Sequence, residues 1–325
     1  MSDKFQTHKL ILPAEAGGYR LDHALTMALP QYSRSQLQRW LRDGAISVNG
    51  GAARASAKVN GGESVVVCAE PAVNTRIAAE DIALDVVHAD RSLIVINKPA
   101  GMVVHPGAGN REHTLQNALL AYDPKLARVP RAGLVHRLDK DTTGLLVVAR
   151  TMTSHAKLVA ALQARDIERE YLALCHGLPT GGATIDKAIG RHRSQRTRMT
   201  IRADGREAVT HYTIDERFRG HSLLRVQLET GRTHQIRVHL AHAGFPVVGD
   251  QDYGGRARIL SGAAEKLQLL LTSFKRQALH ACRLALIHPV SGKALQFEAP
   301  LPADFKALLT ALRADLRAQP AKIRS

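Results

Sequence analysis

The order of short apolar runs after residue 82 constrains the fold of this chain most. Strands are predicted at 92–97, 145–149, 170–175, 208–215 and 223–228, with a hairpin that joins 284–287 to 294–297. Helices are predicted at irregular intervals among them, at 115–122, 154–164, 234–243, 263–272 and 304–312. Because no regular alternation of strand and helix appears, the pattern favours an α+β fold on a largely antiparallel sheet.

A smaller module is predicted in front of this sheet. Apolar residues at helical spacing indicate a helix over 21–28, and Ser33 is expected to cap a second helix over 36–43. Two strands follow at 45–48 and 64–68. The predicted organisation is therefore a tail, a small α/β module, a linker and a large α+β domain, at 1–16, 17–70, 71–81 and 82–325.

The charge of the chain favours a polyanionic partner. Lys and Arg number 45 against 29 Asp and Glu, a formal net charge of +16, and 34 basic with 19 acidic residues lie in 111–325. Such an excess is typical of proteins that bind nucleic acid, although a basic surface without a partner remains open. Aromatic residues make up 4% of the chain, which argues against a stacking platform for long single strands.

The chain contains neither an apolar run of membrane length nor an apolar signal-peptide core near its start. A cytoplasmic protein without membrane association is therefore expected. Cys68, Cys175 and Cys282 lie far apart without paired spacing, so neither a disulfide framework nor a cysteine zinc site is indicated.

A polar, charge-dense stretch at 133–144 separates two apolar segments and leads directly into the strand predicted at 145–149. Loops held on rigid elements are where catalytic groups concentrate. Asp139 within it could act as a nucleophile or base, or it could cap a turn, as Asp and Thr before Gly often do. The residues alone leave both interpretations open.

Four blocks of the large domain occur in the order found in one enzyme family. The sequence His-Arg-Leu-Asp-Lys-Asp-Thr-Thr-Gly at 136–144 resembles the signature motif of the RluA-type pseudouridine synthases, although most members have Ser where this chain has Thr143. The other three blocks lie at 97–101, 169–173 and 230–239. In the small module, 19–22, 33–37 and 44–50 resemble the S4 RNA-binding domain. The resemblance therefore implies a pseudouridine synthase domain preceded by an S4-like domain.

The resemblance also implies the roles of five residues. Asp139 matches the catalytic aspartate, Arg237 the arginine that pairs with it, and Tyr171 the tyrosine that packs against the target base. Arg137 would fill the place vacated by the flipped nucleotide, with His136 beside it. The isomerisation breaks the N1–C1′ bond and joins C5 to C1′ without redox change, so neither a metal nor an organic cofactor is expected.

Basic residues outside these motifs are candidates for phosphate contacts. Arg34, Arg39 and Arg42 could lie along one helix of the S4-like module, where an ordinary solvated helix face is the alternative. Between 187 and 202 six basic residues occur without an acidic one, among them Arg191, Arg193, Arg196 and Arg198. A phosphate-binding loop or strand edge beside the active site is expected there.

The resemblance is nearest to family members that act on large-subunit ribosomal RNA. It implies free rRNA or an assembling large subunit as the partner, and the helix 69 stem-loop as the target; a monomer is expected. The alternatives are a synthase that acts on another RNA and an RNA-binding assembly protein without activity. The N-terminal helices could also bind DNA, which would leave the large domain unexplained.

Two other enzyme classes are disfavoured. A metal-dependent hydrolase would use His234, His239 and His242, but their spacings do not place three imidazoles on one helix face. An acyl-transfer enzyme would be expected to carry a Gly-x-Ser-x-Gly elbow, which the sequence lacks.

Overall fold

The chain divides into two compact units, Met1–Arg76 and Ile77–Ser325. The computed structural model describes residues 6–29, 32, 34–69, 77–107, 109–255, 257–259 and 261–318. Most of the linker predicted at 71–81, and Ser33 with its predicted cap, lie outside the described residues. No helix among the described residues is long and apolar enough to cross a membrane.

The N-terminal unit packs two short helices on a small antiparallel sheet. Its elements are β1 (Gln6–Ile11), α1 (Leu21–Ala28), α2 (Arg34–Arg42), β2 (Ile46–Val48), β3 (Gly51–Ala52) and β4 (Ser64–Ala69). The sheet order is β1-β4-β2-β3. Leu25, Leu37, Trp40 and Val65 are among the buried residues that join the helices to the sheet.

The tail predicted at 1–16 is wrong for its described part. Gln6–Ile11 pairs antiparallel with β4 along its whole length, and Leu12 and Ala16 are buried in the core of the unit. The prediction missed this strand because its residues do not alternate clearly between apolar and polar, and its hydrogen-bonding partner lies more than fifty residues away in sequence.

The second unit is built on a nine-stranded sheet. Its strands are β5 (Val86–Ala89), β6 (Leu93–Lys98), β7 (Thr143–Ala149), β8 (Glu168–His176), β9 (Ala183–Asp186), β12 (Val209–Arg217), β13 (His221–Leu228), β14 (Leu279–Ile287) and β15 (Ala294–Glu298), while β10 (Ile189–Arg191) and β11 (Met199–Ile201) form a separate hairpin. The helices are α3 (Leu115–Tyr122), α4 (Met152–Ala164), α5 (Gln235–His242), α6 (Glu265–Ser273) and α7 (Ala303–Ala318).

The strand order is β5-β6-β7-β14-β8-β13-β12-β9, and β15 pairs with β14. Strands β7 and β14 run parallel, whereas each other pair described in this sheet is antiparallel. The predicted α+β architecture on a largely antiparallel sheet is therefore confirmed. The sequence did not reveal β5, β9, β10 and β11, which are three or four residues long and too short to show alternation.

Strand β7 lies inside the sheet and carries apolar side chains on both faces. Leu146 and Val148 belong to one core cluster, whereas Leu145 and Val147 belong to another, which includes Leu158 of α4. All seven residues of the strand are buried. Because both faces are covered, β7 is a fixed support for the polar loop that precedes it.

Candidate active site

The loop that carries Asp139 is closed by a turn and anchored at its exit. The backbone N–H of Thr142 donates to the carbonyl oxygen of Asp139 at 3.1 Å. Two residues later, Gly144 has φ +109, and a Cβ atom there would lie 2.2 Å from the carbonyl oxygen of Ala281 on β14. A side chain at this position would therefore push β7 away from β14, so glycine fixes where the loop enters the sheet.

Lys98 joins two of the sequence motifs beneath this loop. Its side chain is fully buried, and Nζ donates to the carbonyl oxygens of Pro99, Met102 and Lys140 at 2.8 to 2.9 Å. Burial lowers the pKa of Lys98 to about 7, although Asp141 and Asp139 act in the opposite direction. The sequence alone did not assign a role to Lys98. Its position at the end of a buried apolar strand could have predicted that its ammonium group binds inside the protein.

Arg237 connects Asp139 to a pair of further carboxylates. From α5, its guanidinium donates to Asp139 Oδ2 at 3.2 Å, to both oxygens of Asp250 at 2.7 Å, and to Asp252 Oδ2 at 2.7 Å. It also lies over the ring of Tyr253, 5.0 Å from the centroid. Burial acts to lower the pKa of Arg237, but the three carboxylates raise it overall, so the side chain stays charged.

Asp250 is the inner anchor of this arrangement, and sequence reasoning missed it. Its carboxylate is fully enclosed and also accepts the backbone N–H groups of Asp252 and Tyr253. Asp139, by contrast, keeps 16% of its side chain exposed. The arginine is therefore held from the interior and presents Nη1 to an aspartate that can still meet a substrate.

A second chain of hydrogen bonds leads to the other carboxylate oxygen of Asp139. The backbone N–H of Met199 donates to the hydroxyl of Tyr253 at 2.8 Å, and that hydroxyl lies 2.9 Å from Nδ1 of His234. Since Tyr253 accepts from the backbone, its own proton is available for Nδ1, which places the imidazole proton on Nε2. His234 Nε2 lies 3.9 Å from Asp139 Oδ1. Burial lowers the pKa of His234 and favours this neutral form.

Asp139 and Tyr171 both line a cavity of about 540 Å³, together with His136 and Arg137. A small pocket that Arg237 lines also includes Asp139 and Tyr171. Tyr171 is 5% exposed, and burial raises the pKa of its phenol. The structure therefore brings together all five residues that the resemblance assigned to the site.

His136 and Arg137 differ in how they are held. His136 Nε2 accepts the backbone N–H of Val147 at 3.1 Å, and burial, with Arg169 and His105 nearby, lowers the pKa of the imidazole to about 3. The neutral ring therefore fastens the loop to β7. Arg137 is exposed and makes no hydrogen bond or ion pair with the residues that the structure describes.

The predicted phosphate-contact arginines have unequal surroundings. Arg34 is half-exposed and donates to the buried carboxylate of Asp22 at 2.9 Å, whereas Arg39 of the same helix is exposed. In the second unit, Arg193 and Arg196 are exposed, and the guanidinium of Arg191 donates to the carbonyl oxygen of Arg196.

The hairpin β10–β11 lies beside the candidate site, as the sequence predicted for this basic segment. Arg198 lies 3.9 Å from Asp252, a partner of Arg237, and Met199 binds Tyr253. The basic side chains around the hairpin are therefore placed where RNA backbone close to the cavity could meet them. Their phosphate contacts remain predictions.

Two of the three histidines that a metal-dependent hydrolase would use, His234 and His239, are engaged elsewhere. The ring nitrogens of His239 lie 2.8 Å from Thr210 Oγ1 and 2.9 Å from the carbonyl oxygen of Lys187. His234 is bound to Tyr253. Neither imidazole could ligate a metal through these nitrogens without breaking those contacts.

The residues that form most of this sheet and the candidate site match a known enzyme family. A family model for RNA pseudouridylate synthase matches residues 92–242, and a model for the S4 domain matches residues 20–65. The chain belongs to the RNA pseudouridylate synthase family, so it is an RNA pseudouridine synthase that carries an S4 domain.

Similar proteins extend the match over nearly the whole chain. It is 51% identical to Ribosomal large subunit pseudouridine synthase D of Pseudomonas aeruginosa, over 98% of this chain and 99% of that protein. It is 52% identical to the protein of the same name from Escherichia coli, over 92% of each. These relatives confirm the predicted family.

Two solved human structures share the fold of the synthase domain. Human RNA Pseudouridylate Synthase Domain Containing 4 is 27% identical with a TM-score of 0.57, and the match covers 70% of this chain and 92% of that one. Human RNA Pseudouridylate Synthase Domain Containing 1 is 26% identical with a TM-score of 0.52, over 73% and 97%.

Proposed function

We propose that this enzyme converts uridine to pseudouridine in large-subunit ribosomal RNA, with Asp139 as the catalytic carboxylate and the helix 69 stem-loop as the target. The observation that carries the proposal is the carboxylate of Asp139, held by Arg237 at 3.2 Å on the wall of a cavity that Tyr171 also lines. The names of the relatives, Ribosomal large subunit pseudouridine synthase D, support the choice of RNA.

The reaction requires a negative charge beside the ribose. Breaking the N1–C1′ bond develops positive character at the sugar, and an ionised carboxylate can attack it or stabilise it. The guanidinium of Arg237 compensates the charge of Asp139, while Asp250 holds that guanidinium in place from the interior. The cavity can then receive the uridine without leaving the carboxylate unpaired.

The uracil must turn while it remains bound, so that C5 replaces N1 at C1′. The ring of Tyr171 provides a flat apolar face for this step, because burial keeps its phenol neutral. Extracting a paired uridine from its stack costs a few kcal/mol. Arg137, which is exposed and has neither a hydrogen bond nor an ion pair with a described residue, is proposed to fill the vacated place, with His136 beside the flipped nucleotide.

RNA backbone would be bound mainly by charge. The S4 domain contributes Arg39 and the exposed part of Arg34, and the hairpin β10–β11 and its turn contribute Arg191, Arg193 and Arg196. Such contacts position an RNA without reading its sequence. We propose that the enzyme acts as a monomer in the cytoplasm, on free rRNA or on the assembling large subunit.

The test is pseudouridine mapping on unmodified large-subunit rRNA by carbodiimide-dependent reverse-transcription stops. Wild-type enzyme should produce stops in the helix 69 stem-loop, and Asp139→Asn should abolish them, with a rate at least about 10³-fold lower because the reacting charge is lost.

Asp141→Asn is the matched control, since Asp141 lies in the same loop but lines neither pocket at Asp139. It should retain most of the activity. Equal stops with wild type and Asp139→Asn would overturn the assigned carboxylate. Tight rRNA binding without any stops would favour an RNA-binding assembly protein, and stops confined to another RNA would replace the target.

A further inference from the structure

We propose that Arg169 and His105 form a subsite of the cavity that binds the phosphodiester group next to the flipped uridine. This inference rests on the proposed function. It adds which part of the bound nucleotide these two side chains contact. Neither side chain has a role in the steps derived above, and both line the same cavity as Asp139 and Tyr171.

Arg169 is a buried cation without an acidic partner among the residues that the structure describes. It is 8% exposed, and its Nε is buried with no hydrogen-bond partner in that part of the chain. The guanidinium makes one long contact, from Nη2 to the carbonyl oxygen of Leu228 at 3.5 Å, and it forms no ion pair with a described residue. A desolvated guanidinium without a carboxylate is costly, so such a group is expected to meet an anion when the site is filled.

The strand directs Arg169 toward the substrate. Arg169 and Tyr171 are two residues apart on β8, so their side chains lie on the same face of the strand, about 7 Å apart. Gly231 covers the guanidinium closely, because a Cβ atom there would lie 3.0 Å from Nη1. A base against Tyr171 would therefore place the sugar-phosphate of the same nucleotide within reach of Arg169.

His105 adds a second unpaired polar atom to this wall. Its Nε2 is buried and has no hydrogen-bond partner among the described residues. Burial, together with Arg131 and Arg137, lowers the pKa of His105 to about 4, so the imidazole is neutral and one of its nitrogens can donate. The charged groups that act on His105 are the guanidiniums of Arg131 and Arg137, and with Arg169 they give this wall of the cavity a positive charge that suits a negatively charged ligand.

Arg131 and Arg137 of the cavity are exposed to solvent, and Arg165 and Arg232 are bound by other residues of the chain. Arg165 pairs with Glu207 and Glu229, and Arg232 donates to the carbonyl oxygen of Glu207. Arg165 is thus already neutralised by carboxylates. A phosphodiester is favoured over a uracil carbonyl at Arg169 because it supplies a full negative charge and two oxygens that match a guanidinium.

The test is a double-mutant cycle between protein and RNA, at the uridine that the wild-type enzyme modifies. Binding of a stem-loop RNA is measured with all phosphates natural and with one uncharged methylphosphonate on the 5′ or the 3′ side of that uridine. For wild type, one of the two substitutions should weaken binding about tenfold, the loss of one charged hydrogen-bonded contact. Arg169→Gln should bind the natural RNA about tenfold more weakly and show no further loss with that methylphosphonate.

Arg225→Gln is the matched control, since it removes the same charge from the neighbouring strand, where Glu170 and Asp215 already pair with the guanidinium. It should keep the wild-type response to the methylphosphonate. Arg169→Lys retains the charge without the two-pronged geometry and should lie between wild type and Arg169→Gln. Equal melting temperatures of the variants would show that the comparison is made between folded proteins.

The outcomes separate the two proposals. If wild type forms pseudouridine but Arg169→Gln stays as sensitive to the methylphosphonate as wild type, the phosphate subsite is wrong and the proposed function stands. If wild type forms no pseudouridine in any rRNA, the proposed function fails and the subsite fails with it. If His105→Ala, like Arg169→Gln, removes the sensitivity to the methylphosphonate, both residues belong to the phosphate subsite.

Discussion

Each unit of the protein contains an aspartate that binds arginine, but the burial is reversed. In the N-terminal unit the side chain of Asp22 is fully enclosed, while Arg20 and Arg34 around it are 53% and 50% exposed. In the second unit the side chain of Arg237 is 5% exposed, and Asp139 faces the cavity. The aspartate is the enclosed partner in the first unit and the arginine in the second. A positive charge is therefore exposed to a ligand in the first unit, and a negative charge in the second.

The difference matches the two roles proposed above. Asp22 accepts hydrogen bonds from Arg20, Arg34 and Gln38, and so holds the start of α2 in place. Arg237 instead holds the carboxylate of Asp139, which is the catalytic group in the proposed function. The same pair of residue types therefore leaves a cation exposed in one unit and a carboxylate facing a cavity in the other, depending on which member is buried.

The largest effect is expected from Arg237→Met. This change leaves the enclosed carboxylate of Asp250 without its cation, so the second unit should lose about 4 kcal/mol of unfolding free energy, and pseudouridine formation should disappear. Urea unfolding followed by circular dichroism measures the loss. Unchanged stability would mean that the two backbone N–H groups are sufficient hydrogen-bond partners for the buried carboxylate of Asp250. The contrast drawn here with Asp22 would then be wrong.

A smaller effect is expected from Asp22→Asn, at about 1 to 2 kcal/mol, because both arginine partners are half-exposed and screened by solvent. Trp40 is the one tryptophan of the chain and is buried in the N-terminal core, so its fluorescence follows this unit. Asp43→Asn, on an exposed residue just after α2, is the control and should change nothing.

The same aspartate predicts a pH dependence. Hydrogen bonds from Arg20, Gln38 and Arg34 outweigh burial and lower the pKa of Asp22 from 3.8 to about 2. A lowered pKa means that the ionised form stabilises the folded unit above pH 3.8, and this contribution is lost as the pH falls from there toward 2. Wild type and Asp22→Asn should therefore converge in stability over that range, as followed by Trp40 fluorescence. A constant difference would contradict the assignment.

The smallest effect is expected from Tyr253→Phe. Without its hydroxyl, the N–H of Met199 and Nδ1 of His234 lose their partner, and the imidazole beside Asp139 is less well oriented. We expect kcat to fall about tenfold, roughly 1.4 kcal/mol, with KM unchanged. Tyr212→Phe is the control, because the hydroxyl of Tyr212 makes no hydrogen bond with the part of the chain that the structure describes. An equal fall in both variants would contradict a role for the hydroxyl in orienting His234.

The site was predictable where a residue type and a local pattern coincide. Asp139, Tyr171 and Arg237 lie in the sequence blocks 136–144, 169–173 and 230–239. Each block has a distinctive order of residue types, and these blocks resembled the motifs of one family. Asp250 and Tyr253 lie in a loop without such a pattern, and their roles arise from contacts with Arg237 of α5, with His234 just before it and with Met199 of β11. Similarly, β1 could not be recognised because its partner β4 is distant in sequence.

By itself, the sequence determined the two-unit organisation, the mixed architecture and most strands of the large sheet, because apolar periodicity and turn residues act locally. It also determined the family through ordered motifs. The tertiary structure alone decided which charges are paired. The isolation of Arg169, the enclosure of Asp250 and the three carbonyl contacts of Lys98 depend on side chains brought together from distant segments, since burial and ion pairing are properties of packed neighbours and not of the residue itself.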